Sequence, residues 1–267
     1  MTGDDYVVSD VNEPESTGKN NVTVQPSKMG GPVTIALILI NVFAFGCQIY
    51  VQQFHPRFPM DDYFALSLDG LRHHYFWQLL TFQFMHGGFL HIFLNLWALY
   101  VFGRVVEFTL GKRRMLELYL FSGALGGLVQ ILGAWLLPSL FGDAGVVGAS
   151  AGVFGLMASF AVLYPHQELY LLLLLVIPVR MRAVTLIWFS VAFSVFGILL
   201  PWIGPHLPRV LHLDALLGNW AHAAHLGGII TGAWFTRQLL HKYRRMPPVI
   251  IQPTNVKSSL NINPASD

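Results

Sequence analysis

The chain is 267 residues long, which is enough for one or two domains of ordinary size. Only 11% of its residues are charged and 54% are hydrophobic, whereas a typical soluble domain has about 25% charged residues. This composition argues against a soluble protein, a disordered protein and a nucleic-acid binder with a basic patch. The net charge is only +2, and the single Cys47 excludes an intramolecular disulfide and a multi-cysteine metal site.

Six stretches of the chain lack charged residues and reach the roughly 20 residues that a helix needs to cross a bilayer. They predict transmembrane helices at approximately residues 32–53, 84–104, 114–137, 146–164, 183–201 and 221–240. A seventh uncharged run, 169–179, is too short to span and is expected to be an apolar connector at the membrane surface or against the bundle. The predicted fold class is an all-α polytopic membrane protein with a six-helix domain over residues 31–241.

The two ends of the chain are polar. Residues 1–30 are rich in Asp, Glu, Asn, Ser and Thr, and residues 242–267 contain several prolines, so both are expected to be disordered tails. When the connections are placed alternately on two sides, nearly all of the 16 basic residues fall on the side of the tails. Only Arg57, Arg72 and Arg209 fall on the other side, and the positive-inside rule therefore predicts that both termini are cytoplasmic.

Four polar residues from three predicted spans share one layer near the outer surface. Ser150 lies roughly 6 Å inside span 4, and His225 lies at a similar depth in span 6, at 1.5 Å per residue. His91 lies about 5 Å inside span 2, with Asn95 one turn deeper on the same face. Polar groups in a bilayer are costly, so a shared layer indicates a functional site.

Two further histidines, His86 in span 2 and His222 in span 6, lie near the same layer. For both, hydrogen bonding to water or to the backbone at the interface is favoured over a functional role as the explanation of the residue. Spacing alone does not decide between His222 and His225 as the partner of a nucleophile.

Ser150 lies in the string Gly148-Ala149-Ser150-Ala151-Gly152, a G-x-S-x-G pattern. The pattern alone is weak evidence, because no strand precedes it as in the α/β-hydrolases. In a membrane helix, Gly148 and Gly152 are instead expected to allow close approach of another helix. Ser150 would then lie in the first turn, where the helix dipole and the backbone N–H groups favour a developing negative charge.

Span 6 carries a matching stripe of small residues at Ala224, Gly228 and Gly232. This stripe predicts backbone-to-backbone packing of spans 4 and 6, which would bring the imidazole of His225 to the Ser150 hydroxyl. A serine paired with a histidine is an activated nucleophile.

Other side chains complete this hypothesis. His91 and Asn95 are candidate hydrogen-bond donors to an oxyanion. Phe154, one turn below Ser150, is positioned to stack on the His225 ring.

A metal site is not favoured. The sequence contains no H-E-x-x-H motif, and no Asp or Glu lies in the outer half of a span. The same absence leaves no buried carboxylate that could orient the histidine of a serine–histidine pair. We therefore predict a Ser–His dyad, with no metal and no cofactor.

Four segments together resemble the rhomboid intramembrane serine proteases, and the resemblance covers about residues 32–241 in the right order. They begin at His86, Gly103, Gly148 and Ala224 and read HGGFLHIFLNLW, GRVVE, GASAGVFG and AHLGGIITG. The resemblance implies a rhomboid-like six-helix bundle in which Ser150 is the nucleophile and His225 the general base and acid. It also implies an oxyanion hole formed by His91, Asn95 and the Ser150 backbone N–H, and it favours His225 over His222.

The resemblance further implies the partners of the protein: single-span membrane proteins cut near their outer ends, and membrane lipid, but no nucleic acid. It implies a multi-pass protein of the cell (inner) membrane. Two positions depart from the family pattern. Gln78 stands where the family often has Arg, and Phe154 stands where Tyr is an alternative, so only stacking is open to this ring.

Non-enzymatic membrane proteins are the competing class. A transporter is expected to place its functional polar groups near the bilayer midplane, whereas here they cluster near one surface. A non-catalytic rhomboid-like scaffold that binds transmembrane helices without cutting them stays open as an alternative.

Overall fold

The computed structural model describes residues 31–141, 145–173, 177–203 and 221–244, with the side chains of residues 171–178 left aside. The predictions for residues 1–30, for the C-terminal tail beyond residue 244, and for Asp143 and Asp214 lie outside the described residues.

In the part of the chain that the structure describes, six helices of 14 residues or more form the bundle. They are α1 (Pro32–Phe54), α2 (Phe89–Leu110), α3 (Lys112–Leu136), α4 (Ser150–Leu163), α5 (Ala183–Ile203) and α6 (His222–Arg244). Four of them, α1, α2, α3 and α5, are long and apolar enough to cross a membrane. This confirms an all-α polytopic membrane protein. The number of six spans stays a prediction, because α4 has only 14 residues and α6 carries several basic residues in its last turns.

Helix α4 is the centre of the bundle. Nearly every residue from Ala151 to Ala161 is buried, whichever side of the helix it occupies. Its main neighbours are α3 and α6, which also pack against each other. A helix enclosed by protein does not have to match the bilayer thickness by itself, which accounts for its short length.

The connections contain short elements of regular structure. Between α1 and α2 lie the short helices Met60–Phe64, Leu68–Arg72 and Gln78–Thr81 and the 3-10 turn Phe82–Phe84, and Pro138–Phe141 follows α3. Between α4 and α5, strands β1 (Glu168–Leu173) and β2 (Ile177–Arg182) form an antiparallel hairpin in which Glu168 is opposite Arg182.

The hairpin occupies the position of the predicted apolar connector. Its second strand alternates apolar and basic residues over Val179, Arg180, Met181 and Arg182, and this period of two is typical of a strand. The uncharged run ends at Val179, so the absence of charge alone does not reveal this alternation.

Helix α2 begins later than predicted. The predicted span starts at residue 84, but the α-helix begins at Phe89, after the glycine pair Gly87-Gly88. Gly88 has extended backbone, with φ 162° and ψ 172°. His86 therefore lies in the turn before α2 and not within the helix.

One buried carboxylate joins the start of α1 to the end of α2. Glu107 on α2 is 4% exposed. It accepts hydrogen bonds from the backbone N–H groups of Val33 and Thr34, at 2.9 and 2.8 Å, and from the Thr34 hydroxyl at 2.8 Å. These N–H groups belong to the first turn of α1, which has no intrahelical acceptors for them and which attracts negative charge.

Replacing this carboxylate is expected to destabilise the fold. Glu107→Ala removes the acceptor of three buried donors and should lower the free energy of unfolding by about 2–4 kcal/mol. Thermal unfolding of the purified protein in detergent measures this loss. Glu117→Gln, which changes an exposed carboxylate paired with Arg113, is the control and should leave the melting temperature within about 1 °C. Equal melting temperatures for the two variants would contradict the role of Glu107 as a clamp.

Candidate active site

Ser150 and His225 are in direct contact. Ser150 is the first residue of α4, and His225 lies in the first turn of α6. The Ser150 Oγ and His225 Nε2 atoms are 3.0 Å apart, and the His225 side chain is buried. The contact predicted from the small-residue stripe is therefore present.

This contact depends on two glycines of α6. A Cβ atom at Gly228 would overlap the carbonyl oxygen of Ala151, and a Cβ atom at Gly232 would overlap the carbonyl oxygen of Gly155. The backbones of α4 and α6 thus touch without intervening side chains, which confirms the predicted packing. Because His225 lies three residues before Gly228, its side chain is on the same face and reaches the start of α4.

Helix α3 fixes the first turn of α6 from the other side. The Gln130 side-chain oxygen accepts hydrogen bonds from the backbone N–H groups of Ala223 and Ala224, at 3.1 and 3.3 Å. A Cβ atom at Gly126 would lie 2.5 Å from the Ala224 carbonyl oxygen, so α3 and α6 are also in backbone contact. Gln130 therefore bridges two helices, as its position in a span suggests, and it holds the turn that carries His225.

The rings around His225 set its orientation. The Phe154 and His225 ring centroids are 4.4 Å apart with an interplanar angle of 33°, so the predicted stacking is present. His222 lies on the other side, 6.0 Å from His225 and nearly perpendicular to it, and it makes an edge contact with Phe193.

Gly148 has a different role from the predicted one. It lies in the turn before α4, with φ 127°, a conformation that L-residues rarely adopt. A Cβ atom there would lie 2.7 Å from His91 Nε2 and 3.7 Å from Asn95 Nδ2. Gly148 therefore makes room for the His91 side chain of α2, and it lies in a turn rather than within a helix. Gly152 does allow a helix to approach, because a Cβ atom there would lie 2.9 Å from the Tyr119 carbonyl oxygen of α3.

His91 and Asn95 direct hydrogen-bonding groups at the same turn. The Gly87 N–H donates to His91 Nδ1 at 3.3 Å. A neutral imidazole that accepts at Nδ1 carries its proton at Nε2, the nitrogen next to Gly148. Asn95 is 6% exposed, and its Nδ2 has no hydrogen-bond partner among the described residues. Two donors therefore lie beside the start of α4.

The ring of His86 packs against the ring of His91. Its ring centroid is 5.2 Å from that of His91, and its side chain is 1% exposed. The backbone of His86 is held by Gln48 of α1, whose side-chain amide accepts from the His86 N–H at 3.1 Å and donates to its carbonyl at 2.9 Å. The sequence reasoning missed Gln48, although a polar residue within an apolar span is a signal that requires an explanation.

Gln78, which stands where the resemblance leads us to expect Arg, anchors the connection between α1 and α2 through its amide. The side chain is fully buried. Its oxygen accepts from the Ser67 N–H at 3.2 Å, and its nitrogen donates to the Asp62 carbonyl at 2.7 Å. Among the described residues, no group of three or more His, Cys, Asp or Glu side chains could hold a metal ion.

Comparison with known proteins is consistent with this architecture. The rhomboid domain matches residues 73–242, and the chain therefore belongs to the rhomboid family. The chain is 29% identical over 222 residues to rhomboid protein 1, mitochondrial, of Saccharomyces cerevisiae, which covers 79% of this chain and 55% of the yeast protein. The chain thus spans about half the length of that relative. With its apolar helices, it is a multi-pass membrane protein.

Two further relatives differ in what their names say about activity. A Bacillus subtilis protein named provisionally as a rhomboid protease is 28% identical over 153 residues, covering 57% of this chain and 67% of that protein. The inactive RHOMBOID-like protein 8 of Arabidopsis thaliana is 32% identical over 98 residues, covering 36% of this chain and 26% of that protein. Family membership alone therefore does not decide between an enzyme and a non-catalytic relative.

The contact between α4 and α6 can be tested with one methyl group. Gly228→Ala places a Cβ atom against the Ala151 carbonyl and should cost about 1–3 kcal/mol of unfolding free energy through overpacking. The control is Gly46→Ala on α1, where nothing lies within 4 Å of the added atom and where alanine should be neutral or stabilising. The two variants are compared by thermal unfolding in detergent. Similar stability of both would show that α4 and α6 do not need backbone contact.

Proposed function

We propose that this protein is an intramembrane serine endopeptidase that cleaves transmembrane segments of membrane proteins near the outer membrane face. The observation that carries the proposal is the 3.0 Å contact between Ser150 Oγ and His225 Nε2 within a membrane-embedded bundle. A partly buried serine in contact with a buried imidazole is the arrangement of an activated nucleophile.

The chemistry follows from this pair. His225 Nε2 takes the Ser150 proton as the hydroxyl attacks the scissile carbonyl, and it then gives the proton to the departing amine. In the second half of the reaction, His225 takes a proton from water as its oxygen attacks the ester. The bond between the acyl carbon and Ser150 Oγ then breaks, His225 returns the proton to Ser150 Oγ, and the acid product leaves. Phe154 and the Gln130-capped turn of α6 keep the imidazole in place during both halves of the reaction.

The oxyanion of the tetrahedral intermediate would be stabilised beside Gly148. His91 Nε2–H and Asn95 Nδ2 are the two side-chain donors, and the Ser150 backbone N–H is the third, because the first turn of α4 has no intrahelical acceptor for it. The Asn95 amide is buried without a partner among the described residues, which is costly unless a ligand provides an acceptor.

The substrates we infer are single-span membrane proteins. A peptide bond within a regular helix has its carbonyl hydrogen-bonded and surrounded by side chains, so the substrate has to unwind locally before Ser150 attacks. Small residues at the cut and helix-weakening Gly or Pro nearby would favour this step. We propose the cell (inner) membrane with both termini cytoplasmic, since basic residues favour that side. The yeast relative is named as mitochondrial.

A non-catalytic rhomboid-like scaffold is the second candidate function, and a relative named as inactive keeps it open. A transporter is less favoured, because the polar groups His91, Asn95, Ser150 and His225 meet at one end of their helices and not at a midplane site.

The enzyme and the scaffold are distinguished by a serine-reactive fluorophosphonate. The purified protein in detergent should be labelled, and Ser150→Ala and His225→Ala should each lose the label because either change removes the activated nucleophile. His222→Ala, which removes the ring in edge contact with His225 but leaves both Ser150 and His225 in place, should retain most of the labelling and so distinguishes His225 from His222 as the partner of Ser150. A wild-type protein that stays unlabelled in several detergents would favour the scaffold.

The oxyanion hole is tested by Asn95→Ala. Loss of one donor should lower kcat roughly 100- to 1000-fold with a small change in KM. Asn41→Ala is the matched control, because Asn41 is also a buried asparagine but its amide donates to Leu37 of its own helix. Steady-state cleavage of a transmembrane substrate measures both variants. An equal loss of kcat in both would indicate a general effect of removing a buried amide.

A further inference from the structure

The hairpin of β1 and β2 lies where the chain enters the membrane, at the end of the bundle opposite Ser150. It follows the far end of α4, which begins at Ser150, and its last residue, Arg182, directly precedes α5 at Ala183. Helix α5 is apolar and long enough to cross a bilayer. The base of the hairpin therefore lies at the level of the lipid headgroups, which border the hydrocarbon core. None of the functions proposed above uses it.

The two faces of the hairpin have different environments. Side chains of a strand alternate between faces, and residues opposite each other in the ladder share one face. Leu169 is opposite Met181, and both pack against the hydrophobic core of the bundle. The other face is exposed and carries one acidic, one aromatic and two basic side chains: Glu168, Tyr170, Arg180 and Arg182. The hairpin thus packs on the bundle through its apolar face and leaves its polar face open.

The open face has a surplus of positive charge. Arg180 Nε donates a hydrogen bond to the Glu168 carboxylate at 2.8 Å, so this pair is neutral as a whole. Arg182 lies on the same face, and no carboxylate of the described residues forms an ion pair with it. Tyr170 is 72% exposed, and the Arg180 guanidinium lies 5.9 Å from the centre of its ring. One net positive charge and one exposed aromatic ring therefore remain for a partner.

These features fit an anionic lipid headgroup. A guanidinium presents N–H donors in the geometry that a phosphate group accepts. Tyrosine is enriched at membrane interfaces, because its ring is amphipathic. The hairpin sequence from residue 169 to residue 179 carries no charge, which suits a site at the edge of a lipid layer better than a site for a water-soluble anionic protein.

We propose that the open face of the hairpin binds the headgroups of anionic phospholipids in the adjoining leaflet. Arg182 provides the charge that attracts the phosphate, and Arg180 and Tyr170 flank it. Glu168 limits the strength of binding by neutralising Arg180. Because the attraction is electrostatic, a zwitterionic lipid such as phosphatidylcholine should bind more weakly. The proposal does not depend on proteolysis, since the hairpin lies at the end of α4 remote from Ser150.

Native mass spectrometry of the full chain in detergent tests this site. The purified protein is mixed with equal amounts of phosphatidylglycerol and phosphatidylcholine, and the ratio of protein carrying one molecule of each lipid is measured. The wild-type protein should favour phosphatidylglycerol about fivefold, which is the effect of one basic residue at an anionic surface. Arg182→Gln should reduce this ratio to about one, because it removes the net charge of the open face. Arg182→Lys, which keeps the charge, should retain most of the preference.

The same end of the bundle provides matched controls. Lys112→Gln removes an exposed positive charge at the start of α3 and should leave the ratio close to that of the wild type. Glu168→Gln releases Arg180 from its carboxylate and should raise the preference for phosphatidylglycerol by about a further fivefold. Glu117→Gln releases Arg113 of α3 in the same way, but it should not change the ratio because the pair lies outside the hairpin.

Three results would overturn the proposal. The first is a ratio near one in the wild-type protein. The second is an equal effect of Arg182→Gln and Lys112→Gln, which would assign the preference to the total positive charge of this end of the bundle and not to the hairpin. The third is a ratio that does not rise in Glu168→Gln, and this readout does not depend on whether Arg182→Gln keeps its fold.

Discussion

The backbone contact between α4 and α6 is the constraint on which the site depends. Gly228 and Gly232 lie directly against carbonyl groups of α4, so the distance between the two helices is set by main-chain atoms and not by side chains with rotamer freedom. Main-chain atoms have no rotamers, so these contacts fix how α4 and α6 pack together. The packing in turn keeps Ser150 and His225 at hydrogen-bond distance. Larger residues in the stripe would separate the helices and break the contact between Ser150 and His225.

The same packing provides the environment that the polar groups need. Helix α4 is enclosed by protein, and Ser150 at its start and His91 of α2 are partly buried, whereas Asn95 and His225 are buried. In such surroundings an amide or imidazole donor interacts with a developing charge more strongly than it does in water. Keeping these polar groups out of water is costly. The rest of the bundle offsets this cost through side-chain to backbone bonds such as those of Gln130 and Glu107.

The sequence predicted the parts of the site that are encoded locally. The Ser150 string and the stripe of span 6 identify two close helices, and the contact between Ser150 and His225 follows from them. The role of Gly148 could not be predicted in the same way, because it depends on where α4 begins, and an uncharged run does not mark that residue. His86 was placed inside a helix for the same reason. Gln78 and Gln48 act through backbone groups of distant segments, and these pairings are specified by the folded chain rather than by any spacing.

Hydrogen bonds join helix α1 to α2 at one end and to the turn before α2 at the other. Glu107 holds its first turn at one surface, and Gln48 holds the turn around His86 near the other. In each case a side chain is hydrogen-bonded to main-chain groups, so α1 and α2 are held together as one rigid unit. This unit resists both tilting and sliding of its helices, because either motion breaks buried hydrogen bonds at one end or the other. In the proposed protease, a substrate segment that enters from the lipid would therefore have to displace a different part of the bundle and leave α1 and α2 in place.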